Sequence, residues 1–101
     1  MRQTVVVQLI SRKALRLFWG KHPDSQAPLI RWYRIFRNTT FSSFADMRAV
    51  FPSADRAGKW IVFNIGGNTY RLIASVHFNT GKLYIRGVLT HAEYDEEKWK
   101  K

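Results

Sequence analysis

Residues 59–78, KWIVFNIGGNTYRLIASVHF, decide the fold. A run of β-branched and aromatic residues at 60–65 meets Gly66-Gly67-Asn68, and a second such run follows at 70–78. Glycine and asparagine accept the positive φ of a tight hairpin turn, so the pattern predicts two antiparallel strands. Downstream, Asn79-Thr80-Gly81-Lys82 forms the next turn and residues 83–89 the third strand. Side chains alternate from one face of a strand to the other. Ile61, Phe63 and Ile65 therefore share a face with Leu72, Ala74 and Val76, and with Leu83, Ile85 and Leu89. That face is expected to meet the helices. The opposite face carries Arg71, Ser75 and His77 on the second strand, and Tyr84 and Arg86 on the third.

Upstream, residues 4–10 (TVVVQLI) read as an initial strand. Ser11 is placed to cap a helix running to about Gly20, with Ala14, Leu15, Phe18 and Trp19 on one side. A second helix begins between Asp24 and Pro28, since proline is tolerated in a first turn. Leu29, Trp32, Tyr33 and Phe36 follow the i, i+3, i+4, i+7 spacing of a buried stripe. The stripe reads as core packing, with base stacking by Trp32 as the lesser alternative. Ser42 or Ser43 starts a short third helix that Phe51-Pro52 ends, and residues 53–58 read as a loop. Thr90-His91-Ala92-Glu93 fits a capping box at the start of a final short helix. This order predicts a single α+β domain over residues 1–101. Its N-terminal helices pack on one face of a largely antiparallel β-sheet, and a short helix follows the sheet.

Charge narrows the function. The chain of 101 residues carries a net +10 with a pI near 10.6. Residues 1–90 hold 14 Lys and Arg against three Asp, whereas residues 91–101 hold four acids and three lysines. A basic body of this kind favours a polyanion, nucleic acid first, over a merely solubilising surface or an acidic protein partner. Cysteine is absent, which removes disulfides and thiolate metal sites and fits a reducing, cytoplasmic setting. No apolar run reaches membrane-spanning length, and the start does not read as a signal peptide.

Two arginines on one sheet face, beside Tyr84 and His77, form a candidate phosphate-binding surface, because planar guanidiniums match phosphate oxygens. His91 falls in the first turn of the final helix, with Tyr94 one turn on. Helix N-termini attract anions and disfavour imidazolium, so His91 is placed either to exchange protons or simply to fill that turn. His22, His77 and His91 lack metal-ligand spacing. There is no Walker loop, Ser-His-Asp arrangement or paired-carboxylate arrangement.

The residues Ala49-Val50-Phe51-Pro52-Ser53-Ala54-Asp55, Val62-Phe63-Asn64-Ile65-Gly66-Gly67-Asn68, Tyr70-Arg71-Leu72, Tyr84-Ile85-Arg86 and Thr90-His91-Ala92-Glu93-Tyr94-Asp95 carry a family resemblance. As a combination they are specific. The chain resembles the HigB-type toxins of bacterial type II toxin–antitoxin pairs, within the RelE-like superfamily of mRNA interferases. The resemblance implies a RelE-like small RNase fold and a metal-independent endoribonuclease without cofactors. Such a toxin cuts mRNA on the ribosome through attack by the ribose 2′-OH. A helix-turn-helix, HigA-like antitoxin neutralises it, and operator DNA is met only through the toxin–antitoxin complex. By the same resemblance, Arg71 is the main phosphate clamp, Arg86 a second clamp or positioner, His91 the general acid or base, and Tyr94 an RNA-orienting, base-stacking or proton-transfer group. Lys59, Asn68, Tyr84 and His77 are the expected RNA contacts, with Lys59 also an electrostatic stabiliser. The rival expectation is a basic module that binds RNA, DNA or an antitoxin without cleavage.

Overall fold

In the computed structural model, residues 8–10, 12–39, 41–67, 69–78 and 82–96 are described. The expected cap Ser11, the turn residue Asn68, the turn at 79–81 and most of the first expected strand lie outside them.

The elements are β1 (Gln8–Ile10), α1 (Arg12–Lys21), a 3-10 turn (Pro23–Ser25), α2 (Gln26–Arg37) and α3 (Phe44–Val50). There follow β2 (Asp55–Ala57), β3 (Trp60–Ile65), β4 (Tyr70–His77), β5 (Lys82–Thr90) and α4 (His91–Asp95). The strands form one sheet in the order β1-β5-β4-β3-β2. Among the described residues β1 alone pairs in parallel, on β5; the rest of the ladder is antiparallel.

The apolar stripe of α2 explains how the layers meet. Leu29, Trp32 and Phe36 are buried, as are Phe41, Met47, Phe63, Leu72 and Leu83. Trp32 is only 4% exposed, so core packing rather than base stacking is its role. Its ring lies 5.2 Å from Phe36 and 5.3 Å from Phe63, and Phe51 meets Phe63 edge-on at 5.3 Å. Each such aromatic pair adds about 0.5–1.5 kcal/mol beyond the burial of its area. α1 contributes Leu15 to this core, and Phe18 and Trp19 pack against it.

Local signals set the boundaries. Ser43 caps α3, its hydroxyl accepting the Asp46 backbone N–H at 3.2 Å. Ser25 precedes α2 but does not cap it; its buried hydroxyl donates to the His22 carbonyl at 2.7 Å and closes the preceding turn. The Tyr70 hydroxyl donates to the Asp24 carboxylate at 2.7 Å, tying that turn to the start of β4. Gly66 and Gly67 adopt φ of 62° and 68°, the left-handed conformation the hairpin needs.

Two expectations need correction. Residues 53–58 are not all loop, because Asp55–Ala57 pairs antiparallel with β3. Gly58, at φ 61°, opens the two-residue turn between them. Leu89 does not share the core face with Leu83. The β4–β5 register shifts between Ile73 and Ala74: Ile73 pairs with Gly87 but Ala74 with Ile85. Arg86 is the extra residue of this β-bulge, and past it the alternation inverts. Val88 takes the core position, and Leu89 joins a second, smaller cluster around Val62 and Ile73.

Candidate active site

The second cluster lies on the sheet face turned away from α1 and α2. Val62 is 3% exposed and Ile73 fully buried, with Ala57, Trp60, Leu89 and Tyr94 packed around them. The charged side chains of this face are arranged about that apolar floor.

Arg71 stands on β4 between Asn64 of β3 and Leu89 of β5. Its Nη1 donates to the Tyr70 carbonyl at 3.2 Å, and its Cζ lies 5.3 Å from the centre of the Tyr94 ring. Tyr94 reaches this position because α4 starts where β5 ends. Thr90 pairs with Tyr70 in the ladder and is also the N-cap of α4. The Thr90 backbone N–H donates to Glu93 at 2.9 Å, and the Glu93 N–H donates to the Thr90 hydroxyl at 3.2 Å. This capping box fixes the direction in which the short helix leaves the sheet.

His91 is the first residue of α4. Its Nδ1 lies 3.1 Å from Asp95 Oδ2, with the two side chains 55% and 62% exposed. A pair so exposed adds little stability. With Nδ1 facing the carboxylate, Nε2 is the nitrogen left for proton exchange.

Arg86 points elsewhere on the same face. Its Cζ lies 5.9 Å from the centre of the Trp60 ring, and the Lys59 ammonium lies 5.0 Å from it. Towards the far end of β4, His77 and Tyr84 meet edge-on at 5.4 Å, and Ser75 Oγ is 3.2 Å from His77 Nε2.

The expected residues thus divide into groups. Arg71 and Tyr94 are in contact, and His91 sits three residues before Tyr94 on the same helix. Arg86 and Lys59 converge on Trp60; His77 and Tyr84 converge on each other. Asn68 lies outside the described residues. Two residues of the site went unread in the sequence. Asp95 was signalled by its i, i+4 spacing from His91. Trp60 was signalled by its position directly after the Gly58-Lys59 turn. Among the described residues, no three His, Asp or Glu side chains gather in a group suited to a metal ion.

Residues 25–97 match the family model of HigB_toxin, the RelE-like toxic component of a toxin-antitoxin system. The mRNA interferase toxin HigB of Escherichia coli K12 is 39% identical over 92 residues, covering 88% of each chain. The mRNA interferase HigB of Shigella flexneri is equally similar, and that of Escherichia coli O6:H1 is 32% identical over 93 residues, covering 89% of this chain and 90% of its own. The chain belongs to the HigB toxin family. The α+β architecture, with helices on one face of the sheet and a short C-terminal helix, agrees with the RelE-like fold expected of it. No helix among the described residues is long and apolar enough to cross a membrane.

Proposed function

We propose that this protein is the toxin of a type II toxin–antitoxin pair and acts as a metal-independent endoribonuclease on mRNA. The observation that carries the reading is the contact of Arg71 with Tyr94, beside the capped helix that begins with His91. RNA supplies its own nucleophile, the ribose 2′-OH. The protein has only to align it with the adjacent phosphorus, accept its proton, bear the added negative charge and return a proton to the departing 5′-oxygen. Alignment alone supplies a large part of the rate. Arg71, held by the Tyr70 carbonyl and the Tyr94 ring, is oriented to receive the phosphate oxygens as charge grows on them. His91, its Nδ1 facing Asp95, gives or takes the proton through Nε2. Tyr94 holds Arg71 in place through its ring. The P–O5′ bond breaks as the 2′-oxygen bonds to phosphorus, leaving a 2′,3′-cyclic phosphate and a 5′-hydroxyl.

The reading extends to mRNA engaged on the ribosome in the cytoplasm, and to neutralisation by a helix-turn-helix, HigA-like antitoxin through which operator DNA is met. The net charge of +10 supports a polyanionic substrate and an acidic covering partner. The test is cleavage of a defined mRNA by the purified chain, with and without ribosomes, in the presence of EDTA. Fragments ending in cyclic phosphate and 5′-hydroxyl, formed about a hundredfold or more slowly with Arg71→Ala, are the expected result. RNA binding without strand scission, or scission restored only by magnesium, would overturn it.

A further inference from the structure

We infer that Trp60, with Lys59 and Arg86, forms a docking site for one unpaired base of the RNA substrate, separate from the point of cleavage. The inference rests on the ribonuclease reading for the identity of its ligand. Trp60 is partly buried at the margin of the second apolar cluster, with its indole nitrogen turned inward, and an open concavity of about 510 Å³ is lined by Ala57, Gly58, Lys59 and Trp60. Both cations lie over the indole, and both are on exposed side chains able to swing outward. They arrive there by two independent backbone devices. The positive-φ turn at Gly58 places Lys59 at the tip of the β2–β3 hairpin. The bulge in β5 leaves Arg86 without a ladder partner and lets its side chain reach across β4 to Trp60.

A flat aromatic ring flanked by cations has the chemistry of single-strand recognition. A base stacks on the ring, and the cations leave it for the phosphates on either side. Stacking of this kind tolerates any base, because every base offers a π-face. The site is not the cleavage point. Trp60 lies level with Ser75, four rungs along the sheet from Arg71, or about 13 Å at the rise of a strand. A base seated there therefore flanks the nucleotides that bracket the cut bond, without being one of them.

The experiment uses the full chain and a mixed-sequence RNA oligonucleotide carrying 2′-O-methyl groups, which bind but cannot be cut. Trp60→Leu is expected to weaken binding by about five- to a hundredfold, the range of one base–aromatic stack. Trp60→Phe is expected to retain most of the affinity. A series of oligonucleotides with one abasic position each should reveal a single sensitive position for the parent, outside the pair that brackets the cut, and none for Trp60→Leu. Should Trp60→Leu fail to fold, a 4-thiouridine cross-link from that same position to the Lys59–Trp60 segment of the parent is the expected result. Equal affinities and identical abasic profiles, or a cross-link to another region, would overturn the inference while leaving the nuclease intact. Binding with the predicted profile but without cleavage of natural RNA would uphold the docking site and overturn the nuclease. A parent that neither binds nor cuts RNA would end both.

Discussion

The Arg71 guanidinium lies 5.3 Å from the centre of the Tyr94 ring, joining the middle strand of the sheet to the last helix. Arg71→Ala is expected to reduce RNA cleavage by about a hundred- to a thousandfold, the usual cost of losing one preorganised charge-stabilising donor. Arg71→Lys should recover little of it, since an ammonium cannot reproduce a planar fork of donors. Circular dichroism matching the parent will show that the loss is chemical and not structural.

His91 and Asp95 divide a different task. His91→Gln should lower the cleavage rate constant by about a hundredfold or more, as loss of a general acid or base does. Asp95→Asn should have a smaller effect, with a change in the imidazole tautomer visible by ¹⁵N NMR. A variant at Asp95 with full activity and an unchanged tautomer would show that the 3.1 Å contact does not orient the histidine.

Ile73 is fully buried although it faces away from the main core. Ile73→Ala should therefore destabilise the protein by about 2–5 kcal/mol, as a deletion in a true core does. Urea unfolding will measure it. A change within a few tenths of a kcal/mol would mean that the floor beneath Arg71 and Tyr94 collapses to fill the space.

Tyr70 gives a pH signature. The Asp24 carboxylate that accepts its hydroxyl, together with burial and the nearby negative charge, holds the phenol above its ordinary value of 10.0. A phenol whose pKa is raised by folding adds stability that is complete below the ordinary value and is lost as pH climbs from there through the folded value. Denaturant unfolding should show the parent weakening above about pH 10. Tyr70→Phe should be less stable than the parent at neutral pH, with the gap closing in that alkaline range.

Much of this could be read before any coordinates. Glycines at 66 and 67, a proline after Phe51 and the Thr90–Glu93 pair each impose a local backbone geometry, so β3, β4, the end of α3 and the start of α4 fell close to where the sequence put them. β2 escaped because a three-residue strand has too few side chains to display alternation, and only Gly58 marked its hairpin. The bulge escaped although Gly87, an isolated glycine within KLYIRGVLT, is the kind of residue that marks one; where the extra residue falls depends on contacts with β4. For the same reason the draw of Arg86 towards Trp60 is a product of tertiary pairing, whereas Arg71 and Tyr94 stand on elements that meet at the Tyr70–Thr90 rung.

That extra residue is a place where β5 can lose an amino acid without losing its phase. Taking out Arg86 would leave Ile85 against Ala74 and Gly87 against Ile73, a regular antiparallel pairing. Val88 and Leu89 would keep their sides, and the closing helix would still bring its tyrosine to its arginine. What would go is the guanidinium over Trp60 and the extra coiling that the bulge gives the strand.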